Sequence, residues 1–226
     1  MRKSSLLIAV LGGTLMLFPP PGRADEAYNL DAQSLPGYTG HISAPSAKTL
    51  SQHQSSIGLH RFLLGLAYGW PRDTEFGVMF ELREVTPVTP FTRDTYRARA
   101  PYFSFHAKHR FLREERHHVD AAVGVWRHTY YAVFSPGTWF GRYRLEGGPS
   151  LRRRTDDTHQ IGSFVAFSRT TTFQRLFVDY DSQTELAGLG WRYLLSDAIR
   201  LDLLLTGLGR HEDFFDRFIF GLSIAR

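Results

Sequence analysis

The side chains that could act as a nucleophile or a general base are few and scattered along the chain. His128 with Ser135, and His159 with Asp179 or Asp181, have residue types that suit nucleophilic or acid–base catalysis. Their spacing gives no reason to expect that any of these groups meet. We therefore predict no catalytic residue and keep an enzyme as an alternative.

Candidate metal ligands are equally sparse. His117 and His118 are adjacent at a turn, and adjacent residues of a strand point to opposite faces. His211, Glu212 and Asp213 fit a solvated loop as well as they fit a metal site. The chain has no cysteine, which excludes disulfides and thiolate chemistry. Phosphate loops, zinc spacings and a nucleophile elbow are also absent, so we predict no metal and no cofactor.

A larger set of charged residues shares one face of the predicted strands. The set is mainly basic: Arg61, His106, Lys108, Arg110, Arg142, Arg144, Arg175, Arg192, Arg200 and Arg217, with Glu81, Asp120, Glu146, Asp179 and Asp202. If this face lines a lumen, it would form either a basic channel for an anionic polysaccharide or lipid head group, or a network of ion pairs that fills a narrow barrel. We favour the network.

The elements that carry these residues alternate in polarity from about residue 54 to the last residue. In the final strand Phe218, Phe220 and Leu222 share one face, and Arg217 and Gly221 lie on the other. We count about ten strands, near residues 57–70, 74–85, 102–112, 119–131, 139–151, 161–168, 173–181, 185–194, 199–208 and 214–225. Two strands could be fused in this count near Leu63 and Leu64, and twelve strands are the alternative.

The first 24 residues have the pattern of a cleaved secretory signal. Arg2 and Lys3 precede an apolar run over residues 6–18, which is too short to span a bilayer, and a small-x-small site ends at Ala24. Removal of residues 1–24 takes away three basic residues, so the formal net charge falls from +5 to +2. A charge this small gives no support to nucleic-acid binding.

The predicted mature chain has two parts. Residues 25–53 lack periodicity and carry prolines and glycines, so we expect an extended leader that lies beneath the barrel or enters its mouth as a plug. A disordered linker is the alternative. Residues 54–226 would form the barrel.

Alternation alone does not say which face of a barrel is outside, but three features favour a membrane. Small residues such as Gly65 and Gly77 share the charged face, as a crowded polar interior requires. Aromatic residues such as Trp70 and Trp139 gather at strand ends, and the chain length allows about ten residues per strand, the span of a tilted membrane strand. We therefore predict an all-β fold, a single closed antiparallel transmembrane β-barrel.

Strand number also decides where the loops lie. An even number allows both termini to face the periplasm, as in most bacterial barrels. With ten strands, however, the long loop at residues 86–100 would also be periplasmic, where turns are usually short.

The leader segment LPGYTGHISAPSAKTL, residues 35–50, resembles the opening of YjbH-like outer-membrane proteins. In that family a Gly-x-x-Gly and a small-Pro-Ser/Thr-Ala element precede the first strand, and Gly37, Gly40, Pro45, Ser46 and Ala47 occupy those positions. The segment AYGWPRDTEFGV, residues 67–78, resembles the family's first hairpin. The family is associated with exopolysaccharide production and export at the outer membrane, so the resemblance implies a role of that kind. It implies no catalytic residues.

Arg152, Arg153 and Arg154 form a separate basic run, which would either contact lipopolysaccharide phosphates or form a solvated turn. Our leading interpretation is a non-enzymatic protein of the bacterial outer membrane that assists exopolysaccharide export or has a structural role. Its expected partners are outer-membrane lipid and lipopolysaccharide, the barrel-assembly machinery and an anionic polysaccharide, with no nucleic acid. The alternatives are an outer-membrane lipase, deacylase or protease, and a periplasmic barrel that binds a small apolar ligand.

Overall fold

The computed structural model describes residues 39–81, 103–153, 158–208 and 217–226. The predicted signal peptide, the first part of the leader with Gly37, Arg154 and the segment 211–213 lie outside these residues. Within them the chain is β-structure apart from turns, the segment before residue 55 and a single-turn helix, α1 (Glu114–His117). No helix in this part of the chain is long and apolar enough to cross a membrane.

The described residues form thirteen strands, which vary from two to twelve residues in length. They are β1 (Ser55–His60), β2 (Leu63–Trp70), β3 (Thr74–Glu81), β4 (Phe103–Leu112), β5 (Asp120–Trp126), β6 (Thr129–Ser135), β7 (Thr138–Trp139), β8 (Tyr143–Arg153), β9 (His159–Thr170), β10 (Gln174–Asp181), β11 (Leu186–Leu194), β12 (Ile199–Leu205) and β13 (Phe218–Ala225).

The sheet closes on itself. Apart from β6 and β7, strands that follow one another in the chain pair antiparallel; β13 pairs with β1, and β6 pairs with β8. The short β7 pairs only with the start of β8, so the wall of the barrel has twelve strands. The prediction of a closed antiparallel β-barrel is confirmed. Closure leaves no unpaired edge to associate with other chains.

The wall has the twelve strands that the sequence analysis gave as the alternative to ten. The count of ten arose because two hairpins were each interpreted there as one strand. Arg61 and Phe62 separate β1 from β2, and Arg127 and His128 separate β5 from β6. Tight hairpin turns usually contain Asn or Gly, which adopt positive φ easily. Here Arg61 (φ 56°) and Arg127 (φ 54°) adopt it instead, so the sequence carries no turn signal at either place.

Twelve strands also change the position of the long loop. Strand β1 begins and β13 ends at one end of the barrel, which we call the terminal end; the opposite end is the distal end. Strand β3 ends at the distal end with Glu81, and β4 starts there with Phe103. The connection between them therefore joins the barrel at the distal end, and the conflict raised by ten strands disappears.

The two faces of the wall differ sharply in polarity. In β13 the outward Phe220 and Leu222 are 56% and 38% exposed, whereas the inward Ile219 and Ser223 are 9% and 0% exposed. The same division holds around the barrel, with apolar rows outside and charged side chains inside. This arrangement is the reverse of a soluble barrel, which buries its apolar face.

Inward glycines make room for large inward side chains on the neighbouring strand. Gly77 is paired with His106 and Gly221 with His60. A Cβ atom at either glycine would lie 2.1 Å from the facing imidazole ring. The mixture of glycine and charge on one face of each strand therefore reflects a filled interior.

Candidate functional site

Residues 39–50 lie inside the barrel, and we call them the lumen segment. Only Ser43 and Lys48 among them are partly exposed; the rest are buried. The segment folds into a tight turn in which the His41 amide donates to the Ala44 carbonyl (3.0 Å) and the Ser46 amide donates to the Thr39 carbonyl (3.1 Å). Its side chains and backbone contact strands from several sides of the wall, so it occupies the lumen.

The first anchor of the lumen segment is Glu75 on β3. Its carboxylate accepts hydrogen bonds from the Thr39 amide (2.8 Å) and the Leu50 amide (2.9 Å), and it also accepts one from the Thr39 hydroxyl. His106 Nε2 lies 3.3 Å from the same carboxylate. One buried acid thus fixes both ends of the segment.

The second anchor is Asp179 on β10. A single oxygen, Oδ2, accepts three consecutive backbone amides, from Ile42 (3.0 Å), Ser43 (2.7 Å) and Ala44 (2.9 Å). Successive N–H groups that converge in this way form an anion-binding concavity. The turn of the lumen segment is therefore built around this carboxylate.

The third anchor is Glu146 on β8. It accepts the Ala47 amide (2.8 Å) and the Ser46 hydroxyl (3.1 Å), and it lies 2.7 Å from His41 Nε2. Arg144 Nε is 3.1 Å from the same carboxylate. Charge-assisted hydrogen bonds of this kind are stronger than neutral ones, because the donor or acceptor is ionised.

Two cations hold the carbonyl groups of the lumen segment. The Lys108 ammonium donates to the Thr39 carbonyl (2.9 Å) and the Ser46 carbonyl (3.4 Å), and it lies 3.8 Å from Glu75. The Arg192 guanidinium donates to the Gly40 carbonyl (3.3 Å). Both side chains are about completely buried, at 1% and 0% exposure.

A second cluster joins β1, β11 and β12 within the wall. Asp202 accepts two hydrogen bonds from Arg192, from Nε at 2.7 Å and from Nη2 at 3.3 Å, and lies 2.8 Å from His60 Nε2. The two-point contact fits the planar guanidinium fork to the carboxylate. Arg192 therefore links the wall to the lumen segment.

A third cluster lies at the terminal end. Arg144 contacts Asp120 (2.5 Å) and Glu114 (2.9 Å), and Arg110 contacts Asp73 (3.0 Å), which also accepts from Arg113. Burial raises the pKa of Asp73, but the hydrogen bonds and positive charges of Arg113 and Arg110 outweigh it, so the pKa lies below the usual value. These contacts tie the turns of this end together.

Most of the charged residues selected from the sequence lie in this interior. Ten of them have less than a tenth of their surface exposed: His106, Lys108, Arg144, Arg175, Arg192, Arg200, Asp120, Glu146, Asp179 and Asp202. Arg110 is partly buried between Asp73 and Asp120. The others are partly buried at the edges: Arg61 and Arg142 in turns, Glu81 at the end of β3, and Arg217 just before β13.

The sequence analysis missed three central residues: Glu75, His60 and His41. Glu75 and Glu81 are separated by an even number of positions along β3 and so lie on the same face. The alternation pattern could therefore have identified Glu75 as an inward residue. A single strand over residues 57–70 would place His60 on the same face as Leu64 and Leu66, whereas the inward parity changes at the Arg61–Phe62 turn and His60 points inward. His41 belongs to a segment without periodicity and left no signal.

The pairs considered for catalysis do not come together. His128 is in the turn before β6 and Ser135 is the last residue of that strand, so they lie at opposite ends of the barrel. Asp179 pairs with Ala166, well along β9 from His159, and Asp181 binds the turn residues Gln183 and Thr184. Among the described residues there is no group of three acids, histidines or cysteines that could hold a metal ion.

Gly40, Pro45, Ser46 and Ala47, four of the residues that carried the family resemblance, lie in the lumen segment. Gly40 forms a bridge with Pro45, and a Cβ atom at Gly40 would lie 2.6 Å from the Ala44 carbonyl oxygen. Ser46 and Ala47 both bind Glu146. Arg152 and Arg153, the described part of the arginine run, are exposed at the distal end of β8.

The chain was compared with protein-family models and with curated proteins. No protein-family model matches the chain, and no curated protein matches it.

Proposed function

We propose that the protein is a non-enzymatic β-barrel of the bacterial outer membrane whose lumen is closed by its own residues 39–50. Its role is structural or accessory, in support of exopolysaccharide export at the cell surface. The observation that carries the proposal is the inverted polarity of a closed barrel, with an apolar outer surface around a charged and filled interior.

The outer surface supports a membrane location. Large apolar side chains are exposed there, among them Phe105 (64%), Ile57 (50%) and Val165 (45%). Soluble proteins rarely expose so much contiguous apolar surface, and lipid would cover it. Trp70 and Trp139 are exposed at the terminal end, which fits the girdle of aromatic side chains expected at a membrane interface.

The filled lumen supports an accessory role over that of a passive conduit for polymer. A chain of sugars cannot pass while the lumen segment is bound to Glu75, Glu146 and Asp179 on three strands. The link to exopolysaccharide rests on the resemblance of residues 35–50 and 67–78 to the YjbH-like family.

Conductance across a planar bilayer tests the closed lumen. We expect the full chain to show no steady current. The double variant Glu146→Gln/Asp179→Asn removes two of the charges that hold the lumen segment, so we expect brief openings or a measurable current. Deletion of residues 39–50 should give a larger current.

The matched control is Glu115→Gln/Asp197→Asn, which alters one exposed acid in α1 and one in the turn between β11 and β12 and should leave the bilayer without current. A large steady current from the unaltered chain would contradict the closed lumen. Failure of the extracted protein to change gel mobility on heating would contradict the membrane barrel. Normal polymer secretion from cells that lack the protein would contradict the export role and leave the structural one.

A further inference from the structure

A shallow groove of about 710 Å³ crosses the outer surface of the barrel. Its outward lining consists of small side chains on four neighbouring strands, Ala107, Val123, Val125, Ala132 and Pro149. Larger outward side chains surround these positions. The groove is therefore a depression in the surface that we assign to lipid.

The groove lies over the seam where β6 closes onto β8. Tyr131 pairs with Ser150 and Phe134 with Gly147, but the two positions between them are not paired. Pro149 has no N–H to donate, so the ladder is interrupted there. The outward residues at this interruption, Ala132 and Pro149, both line the groove.

The distal edge of the groove is apolar and exposed. Tyr130, Leu151 and Ile161 lie side by side on β6, β8 and β9, and are 61%, 37% and 81% exposed. Ile161 is the most exposed aliphatic side chain among the large hydrophobic residues of the described strands. This row offers a contact surface for a hydrocarbon chain.

Basic side chains lie immediately above this row. Arg153 and His159 are paired with each other, two residues along from Leu151 and Ile161 and therefore on the same outer face. The Arg153 amide donates to the His128 carbonyl (2.9 Å), which brings that turn alongside. We call Arg153, His128 and His159 the basic rim; Arg152 is exposed next to them, on the opposite face of β8.

Arg127, in the same turn as His128, adds to the positive charge of this end. Burial lowers the pKa of Arg127, Glu81 opposes this effect, and the nearby charge of Arg152 lowers the pKa further. Arg127 and Arg152 therefore both contribute positive charge at the distal end of the barrel.

We propose that the groove and the basic rim together bind one phosphorylated glycolipid, with an acyl chain in the groove and a phosphate group at the rim. The inference rests on the proposed outer-membrane location. A barrel with an even strand number has its termini in the periplasm, so its distal end faces the outer leaflet, where phosphorylated glycolipid replaces phospholipid. Lipid A is the natural probe.

Native mass spectrometry of the refolded full chain, released from detergent with added lipid A, tests this site. We expect one retained lipid A per chain. The variant Arg153→Ala/His159→Ala should weaken retention about tenfold or more, since charge-assisted hydrogen bonds to a phosphate are lost. Val123→Trp should weaken it by filling the groove without changing any charge.

The matched control is Arg116→Ala/His117→Ala, which removes an exposed arginine and histidine at the terminal end and should leave retention unchanged. Folding of each variant is checked by its heat-dependent gel mobility. Equal retention by all variants would overturn the site while leaving the membrane barrel intact. Equal retention of phosphatidylglycerol would overturn the glycolipid assignment. Loss of heat-dependent mobility in the unaltered chain would instead overturn the proposed location.

Discussion

Replacing Asp202 by alanine is expected to lower the free energy of unfolding by about 3–5 kcal/mol, the cost typical of removing one partner of a buried ion pair. Arg192 is 0% exposed, and its two-point contact is with this carboxylate. His60 loses its acceptor at the same time. The guanidinium would remain buried without the carboxylate that accepts its two-point contact.

Urea unfolding of the protein in lipid vesicles, followed by tryptophan fluorescence, measures this loss. Asp197→Ala is the matched control, since Asp197 is exposed in the turn between the same two strands, β11 and β12. Surface substitutions of this kind usually change stability by less than about 0.5 kcal/mol. Equal stability of the two variants would contradict the buried pair.

Replacing Glu146 by alanine is expected to cost about 3–5 kcal/mol and to release part of the lumen segment. The Ala47 amide, the Ser46 hydroxyl and His41 would each lose an acceptor in a buried place. Arg144 keeps its contacts with Asp120 and Glu114, so its charge stays compensated. The loss therefore falls mainly on the lumen segment.

Protease sensitivity separates this effect from general unfolding. We expect cleavage within residues 39–50 of the Glu146→Ala variant, in vesicles where the barrel still migrates as folded protein. Glu115→Ala, at an exposed acid of α1, should remain protected. Loss of the folded band without selective cleavage would show that Glu146 supports the wall and not the segment.

The barrel itself was predictable because period-two alternation survives in every long strand. Phe218, Phe220 and Leu222 define an outer face without any knowledge of their neighbours, and closure follows from the need to pair both edges. The alternation did not reveal the turns at Arg61 and Arg127. Both residues adopt positive φ, and arginine is not a residue type that indicates such a turn. Each failure fused two strands, and a single strand through Arg61 would place His60 on the outer face, where the structure does not have it.

The occupant of the lumen was not predictable to the same degree. Its contacts join residues far apart in sequence: the Ile42 amide and Asp179 are 137 residues apart, and the Ala47 amide and Glu146 are 99 apart. Hydrogen bonds from backbone amides leave no trace in residue type. The sequence therefore indicated that Asp179 and Glu146 face inward, but not that they bind the chain's own segment.

The same contacts give a physical reason for the balance of charge inside the barrel. Glu75, Glu146 and Asp179 each accept hydrogen bonds from several donors of the lumen segment. Lys108 and Arg192 donate hydrogen bonds to its carbonyl groups. A buried charge is tolerated only where such partners exist. The charged residues of the wall therefore match the donors and carbonyl groups of the lumen segment. Removing a group from the wall or from the segment leaves its partner without a hydrogen bond.

The most direct test of the account is which face of β13 meets lipid. The chain has no cysteine, so single cysteines at Phe220, Leu222, Ile219 and Ser223 can each carry one nitroxide spin label. In vesicles of refolded protein, we predict high collision with lipid-soluble oxygen at positions 220 and 222, and low collision with both oxygen and a water-soluble nickel chelate at 219 and 223. High oxygen collision at 219 and 223, with labels at 220 and 222 shielded from lipid, would contradict the inverted polarity and the functions proposed from it.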